Sequence, residues 1–143
     1  LYGTLVVRAD DEPALDELVL VMSDLAVRDA DGTLMPSDSG GDLASLFGRE
    51  GNHLLTNGRE RPAVRVRNGV PVRLRLVNAA ISRYAQLELP GHRFLVVGGD
   101  RGLLPSARDR ERLVVLPGQR VDAIVVPRGL PGQTVTMRWV PYD

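Results

Sequence analysis

The chain has 143 residues, of which 43% are hydrophobic and 25% are charged, and it contains no cysteine. This composition is typical of a globular domain and argues against disorder, and the absence of cysteine excludes disulfides and thiolate chemistry. The 18 basic and 18 acidic residues cancel, so no net charge attracts nucleic acid or anionic lipid. No apolar run is long enough to span a membrane. We expect one domain over residues 1–143, and the Leu1 start predicts a piece of a longer protein.

The first third of the chain contains two β-rich runs joined by an acidic loop. Gly3–Arg8 is a short β-rich run, and Ala9–Asp16 is acidic, which predicts a solvated connecting loop. Glu17–Val27 is a long apolar run that fits a strand buried on both faces or a buried helix. Its β-branched residues and the Asp31–Gly32 turn that follows favour the strand.

An irregular excursion follows over Thr33–Asn52, where proline, serine and glycine repeatedly interrupt the chain. Within it, Asp42–Phe47 predicts one or two helical turns. Asp42 is the expected N-cap, and Gly48 is expected to end the helix.

From Leu54 onward, short β-rich runs alternate with turns that contain glycine, proline or asparagine. Strands at this spacing are typical of a β-sandwich or barrel, and no helical segments separate them as a parallel βαβ sheet would require. The predicted strands are Ala63–Arg67, Val70–Val77, Tyr84–Leu89, Arg93–Val97, Arg112–Leu116, Arg120–Val126 and Thr134–Trp139. The sequence therefore predicts an all-β fold.

The predicted strand at Val72–Val77 has strict alternation. Val72, Leu74 and Leu76 should face the core, whereas Arg73 and Arg75 should face solvent. These arginines continue a basic stretch formed by Arg59, Arg61, Arg65 and Arg67. Phosphate contact is conceivable, but no aromatic residue lies among them to stack on bases. The solvent-facing interpretation is favoured, and pairing with acidic residues of a neighbouring domain is the alternative.

Metal-ligand patterns are weak. His53 and His92 are the two histidines, whereas a catalytic zinc site usually has three protein ligands and a blue-copper site has two histidines and a cysteine. We therefore expect both histidines to be structural. The acidic run Asp10–Glu12 lacks the spacing of a calcium loop, and a solvated loop is the simpler interpretation. No metal-binding or catalytic residue is predicted.

An ordered set of segments resembles the middle domain of a bacterial three-domain multicopper oxidase of the laccase-like type. The segments that carry this resemblance are Leu1–Val7, Leu18–Leu25, Leu54–Gly58, Val72–Ala79, Asp100–Pro105 and Leu116–Asp122. The resemblance implies a cupredoxin-like Greek-key β-sandwich or barrel. It also implies a parent protein that couples one-electron oxidation of a small reducing substrate to four-electron reduction of O₂ to water.

The resemblance further implies that copper belongs to the neighbouring domains and that this chain holds no cofactor. Its expected partners are the first and third cupredoxin domains of the parent, in a periplasmic or secreted protein. Isolated, the chain should be inactive. Asn78, Ser82 and Arg83 match a loop that can lie at the substrate side or between domains. Ser82 stands where some laccases have an acidic residue, which disfavours a phenol oxidase.

Three functions therefore remain open at the level of the sequence. The first is a non-catalytic structural or linking domain of a copper oxidase. The second is a domain of a copper-free envelope scaffold related to such oxidases. The third is a stand-alone binding module that uses its sheet surface.

Overall fold

The computed structural model describes residues 2–8, 10, 12–36 and 39–142; Leu1, Ala9 and Asp11 of the predicted segments lie outside this part. Across the described residues, the chain forms nine strands and one short helix. Their bounds are β1 Asp16–Leu25, α1 Gly41–Phe47, β2 His53–Thr56, β3 Val72–Asn78, β4 Ala85–Glu88, β5 Phe94–Gly99, β6 Gly102–Arg110, β7 Arg112–Val115, β8 Arg120–Val125 and β9 Arg138–Val140.

The strands form two sheets that pack on one core. Six strands pair in the order β2-β1-β3-β8-β5-β6, and three pair in the order β7-β4-β9. The β1–β3 pair is parallel; the other strand pairs among the described residues are antiparallel. Core residues come from both sheets, with Leu76 and Phe94 on the larger and Leu87 and Val115 on the smaller. This arrangement confirms the expected all-β, cupredoxin-like sandwich.

β3 lies near the middle of the larger sheet, between β1 and β8. Val72, Leu74 and Leu76 are all buried in the core, as their alternation predicts. The opposite face of β3 was wrongly predicted, because Arg73 is also buried. The Glu12–Glu17 part of the chain supplies the carboxylates that cover this face, so the arginines do not face solvent.

The turn after β2 shows why the Leu54–Gly58 segment has its composition. Asn57 adopts a left-handed conformation with φ 51°, which asparagine tolerates better than most residues. Its side-chain Nδ2 donates to Val19 O at 2.9 Å, and its Oδ1 accepts from the Val21 N–H at 2.8 Å. Asn57 thus extends the hydrogen bonding of β1 beyond the end of β2.

Helix α1 differs from the prediction at its first residue. It begins at Gly41 after an N-cap at Gly40, which has φ 119° and provides no side-chain hydrogen bond. Asp42 is therefore in the first turn and is not the cap. The predicted end is correct, because Gly48 follows the helix with φ 80° and its N–H donates to Ala44 O.

Several predicted strands have other structures. Ala63–Arg67 and Gly3–Arg8 form no strand, and Thr134–Trp139 contributes only its last two residues, to β9. Val64 and Val66 are exposed. Strand propensity depends on packing against neighbouring side chains, and none of the described residues covers this run. Conversely, β6 was missed, because its residues are mostly exposed and show no buried alternation.

Candidate functional site

Asn78 is buried at the end of β3 and hydrogen-bonds three backbone groups. Its Nδ2 donates to Arg83 O at 2.8 Å and to Val115 O at 2.9 Å. Its Oδ1 accepts from the Ala80 N–H at 3.0 Å. Asn78 therefore holds the 79–83 loop to β3 and β7 from beneath, and its side chain does not reach the surface of the loop.

Arg83 connects this loop to two other segments. Its Nε lies 3.2 Å from Asp24 Oδ2 at the end of β1, and its Nη2 donates to Gly51 O at 2.7 Å. A further ion pair joins Nη2 to Glu50 Oε2 at 3.1 Å. The Gly51 N–H donates to Asp24 Oδ2 at 2.6 Å, so the three segments form one hydrogen-bonded junction. The Asp24 side chain is almost fully buried.

The junction has no space for a side chain at Gly51. A Cβ atom there would lie 2.3 Å from Leu25 O and 2.7 Å from Leu25 N. Real Cβ atoms do not approach backbone this closely, so only glycine lets the chain pass against the end of β1.

Ser82 is partly buried, and its hydroxyl group faces the interior. Its Oγ is buried and has no hydrogen-bond partner among the described residues. A Cβ on Gly48 would lie 3.1 Å from Ser82 Cβ and 2.7 Å from Ile81 Cγ2, so the loop packs against the end of α1. Ile81, which the sequence interpretation did not include, is the loop residue that projects into solvent.

The structure thus brings Asn78, Ser82 and Arg83 together in one loop but assigns them different contacts. Asn78 and Ser82 point inward, whereas Arg83 bridges to Asp24 and Gly51. The sequence interpretation missed Asp24 and Gly51 as partners of the loop. A signal for Asp24 was present, because a carboxylate in the apolar run of β1 must find a cation or donors when it is buried.

A second cluster of charges covers the outer face of β3. Arg75 Nη1 donates to Asp122 Oδ2 at 2.9 Å, its Nη2 donates to Glu12 Oε1 at 2.5 Å, and its Nε lies 2.8 Å from Glu17 Oε2. Arg73 also contacts Glu12. The β3–β8 register places Arg75 directly opposite Asp122. Solvent exposure was wrongly predicted for Glu12, Arg73 and Arg75, because these groups neutralise one another within the chain. Asp10 and Asp16 of the acidic loop are exposed, as predicted.

Glu17 shows the electrostatic effect of this cluster. Its burial alone would raise the pKa of the carboxyl group, but hydrogen bonds and ion pairs with Arg75 and Arg8 outweigh burial and hold that pKa below its usual value. At the edge of the same region, Asp16 accepts from Arg67 at 2.7 Å and raises the pKa of the Arg67 guanidinium. The rest of the basic stretch, with Arg59, Arg61 and Arg65, is exposed.

The histidines do not fit a copper site. Both ring nitrogens of His92 are occupied, because Nδ1 donates to Pro90 O at 2.8 Å and Nε2 accepts from the Arg128 N–H at 2.9 Å. His53 contacts the Glu60 carboxylate. Its strand, β2, is separated from β5, next to His92, by three strands, which is roughly 19 Å along the sheet. Among the described residues, no three histidine, aspartate or glutamate side chains cluster to hold a metal ion.

No helix in the described part of the chain is long and apolar enough to cross a membrane.

Similar structures share this fold. A multicopper oxidase from Campylobacter jejuni, described as a metallo-oxidase, superposes with a TM-score of 0.75 at 29% identity over 90% of this chain and 26% of its own. A multicopper oxidase from Pseudomonas thermotolerans superposes with a TM-score of 0.75 at 26% identity over 87% of this chain and 30% of its own.

Similar sequences include cell division proteins. The cell division protein FtsP of Xenorhabdus nematophila is 43% identical over 76 residues, which is 52% of this chain and 16% of that protein. FtsP of Sodalis glossinidius is 43% identical over 91 residues, or 63% of this chain and 18% of that protein. The chain therefore spans less than a fifth of these relatives.

The sequence profile of the multicopper oxidase family matches residues 16–136, which includes every strand except β9. The profile, the TM-scores and the two-sheet fold agree with one another. The chain belongs to the multicopper oxidase family.

Proposed function

We propose that this chain is a non-catalytic structural and linking domain of a larger protein of the multicopper oxidase family. The parent would couple one-electron oxidation of a small reducing substrate to four-electron reduction of O₂ to water. Copper bound in the neighbouring domains would supply that redox chemistry. This chain would hold the first and third cupredoxin domains in their relative positions, in a periplasmic or secreted, laccase-like protein.

The observation that carries this proposal is the Tyr2–Arg8 segment. Leu5 and Val7 are 89% and 82% exposed, and apolar side chains that are exposed next to one another can form a contact surface for another protein domain. Both ends of the segment are nevertheless attached to the domain. The Tyr2 hydroxyl donates to Ser23 Oγ at 2.6 Å, and Arg8 pairs with Glu17 at 2.8 Å. An attached segment that directs apolar side chains outward is suited to join this sandwich to another domain.

A second candidate function is a domain of a copper-free scaffold in the cell envelope. The observation in its favour is that the curated relatives given above are named cell division proteins. The two candidates require the same fold of this chain. They differ in whether the parent protein has copper ligands outside this chain.

The gene sequence on both sides of this chain tests the proposal. We expect His-Xaa-His pairs upstream and a His-Cys-His segment with a nearby methionine downstream, because these supply the copper ligands. Flanking cupredoxin domains without those ligands would favour the scaffold. A complete gene without any flanking domain would overturn both candidates and leave a stand-alone binding module.

Metal analysis of the chain after Cu²⁺ loading tests its non-catalytic role. We expect no stoichiometric copper and no oxidase activity, because His92 is committed to backbone hydrogen bonds and His53 contacts Glu60. One tightly held copper with blue absorption would contradict the proposal.

A further inference from the structure

An apolar patch lies beside the 79–83 loop, and none of the residues that the structure describes covers it. Leu43, Leu46 and Phe47 of α1 are 70%, 74% and 73% exposed, and Ile81 of the loop is 79% exposed. The three helical residues have the i, i+3 and i+4 spacing that places side chains on one face. Gly48, next to Phe47, touches Ile81 at the helix end. We call these four residues the α1 patch.

Helix α1 gains little stability from the rest of the chain. It has seven residues, none of them buried, and its N-cap provides no side-chain hydrogen bond. Helices shorter than about 12 residues are marginal in water and depend on packing of an apolar face. The face available for such packing is the α1 patch, and it points away from this domain.

From these features we propose that the α1 patch is the docking surface for another domain of the same polypeptide. This inference rests on the proposed function, which makes the chain one part of a longer protein. The chain covers 26% to 30% of the two solved oxidases described above, so chains of this family carry ample further structure to occupy the patch.

The size of the patch favours a tethered partner over a second copy of the chain. Large apolar side chains present roughly 150–200 Å² each, so the patch offers on the order of 500 Å² at these exposures. Domains of one chain typically bury about 600–1,500 Å² in total, or half of that on each side. Independent partners typically need about 800 Å² on each side. The patch meets the first requirement and not the second.

The junction beneath the 79–83 loop fixes the position of one patch residue, Ile81. Arg83 ties the loop to Gly51 and Asp24, and Asn78 holds the loop from below. Ile81 is therefore in place before any partner docks, whereas α1 depends on the partner for packing. A surface arranged in advance loses less conformational entropy on association.

Hydrogen exchange of the full-length protein, measured by mass spectrometry, tests this inference. The variants are Phe47→Ser and Ile81→Ser in the patch, with Leu130→Ser as a control. Leu130 is 78% exposed and lies outside the patch. We expect each patch variant to speed exchange of the α1 amides by about tenfold or more, and Leu130→Ser to leave it unchanged.

The outcomes separate this inference from the proposed function. A gene without flanking domains would overturn the proposed function, as stated above. If flanking domains are present but both patch variants leave α1 exchange at the wild-type rate, the docking surface is wrong and the proposed function stands. Dimers in sedimentation, or binding to phosphatidylglycerol vesicles, that Phe47→Ser abolishes would overturn the inference in favour of a second copy or a membrane surface.

Discussion

At the scale of single residues, the shape of the 79–83 loop is fixed by hydrogen bonds beneath its surface. Asn78 uses its amide to satisfy two carbonyls and one N–H. Arg83 satisfies Gly51 O and the buried Asp24 carboxylate. Buried polar groups cost free energy unless they are paired, so these residues are primarily responsible for the shape of the loop. Its outward surface belongs to Ile81.

Gly51→Ala is expected to destabilise the domain. The added methyl would lie 2.3 Å from Leu25 O, and the backbone would have to move away from the Asp24 hydrogen bond. Overpacking of this kind typically costs about 1–3 kcal/mol. Chemical denaturation measures the change in the free energy of unfolding.

Gly3→Ala is the matched control, because a Cβ at Gly3 meets nothing within 4 Å. It should change the free energy of unfolding by less than about 0.5 kcal/mol. Equal effects of the two substitutions would show that the close approach to Leu25 is not the cause.

At the scale of elements, β3 combines two kinds of burial in one strand. Its apolar residues pack between the sheets, and its arginines are covered by Glu12, Glu17 and Asp122. The alternation of the strand places these two sets on opposite faces. β3 therefore resembles a strand buried on both faces, although half of its covering is ionic.

Leu74→Ala tests the apolar face of β3. Leu74 is 7% exposed and belongs to the core cluster, so its truncation removes buried surface and leaves a cavity. We expect a loss of about 2–5 kcal/mol in the free energy of unfolding by chemical denaturation. Leu130→Ala, at an exposed position, is the control. A loss of less than about 0.5 kcal/mol for Leu74→Ala would contradict its place in the core.

The pH dependence of the free energy of unfolding tests the ionic face of β3, through the carboxyl group of Glu17. Its pKa is lower in the folded chain than its ordinary value, so the folded state favours the ionised carboxylate. Its stabilising contribution is therefore complete above the unfolded-state pKa of about 4.3 and is lost as the pH falls through the lower folded-state pKa. Denaturation of the wild-type chain between about pH 7 and pH 3 should show this decline.

Glu17→Gln should make stability less dependent on pH below about pH 5, because glutamine does not titrate. Glu111→Gln, at an exposed site, should keep the wild-type dependence. If Glu17→Gln and the wild type lose stability in parallel as the pH falls, other carboxylates cause the acid sensitivity.

At the scale of the whole molecule, most of the buried and half-buried charged side chains pair within the chain. Arg73, Arg75 and Arg83 pair with carboxylates of this chain, and the net charge is zero. The exposed surface includes the basic side chains of Arg59, Arg61 and Arg65. It also has two apolar features, the Tyr2–Arg8 segment and the α1 patch. Such a surface is suited to contact other protein domains.

We expect no specific nucleic-acid complex. The arginines of β3 are neutralised and covered, so the basic stretch cannot present a continuous positive surface to phosphates. Fluorescence anisotropy with a labelled DNA duplex at physiological salt should give weak binding only, in the non-specific range of about 10⁻⁴ to 10⁻⁶ M. A dissociation constant below about 10⁻⁷ M would restore the nucleic-acid hypothesis.

Features that depend on local patterns could be predicted from the amino-acid sequence. Period-two alternation located the core face of β3, and turn residues located most of the later strands. Gly48 was recognised as the end of α1, and an ordered set of segments led to the family that the profile, the TM-scores and the fold support.

The residues that cover each surface could not be predicted from the sequence and are known from the folded chain. Alternation shows that Arg73 and Arg75 share a face, but not that Glu12 and Glu17 fold back over it, because that contact joins distant parts of the chain. For the same reason Ala63–Arg67 forms no strand and exposed β6 does. Strand pairing and ion-pair burial depend on neighbours in space, and a local pattern does not contain those neighbours.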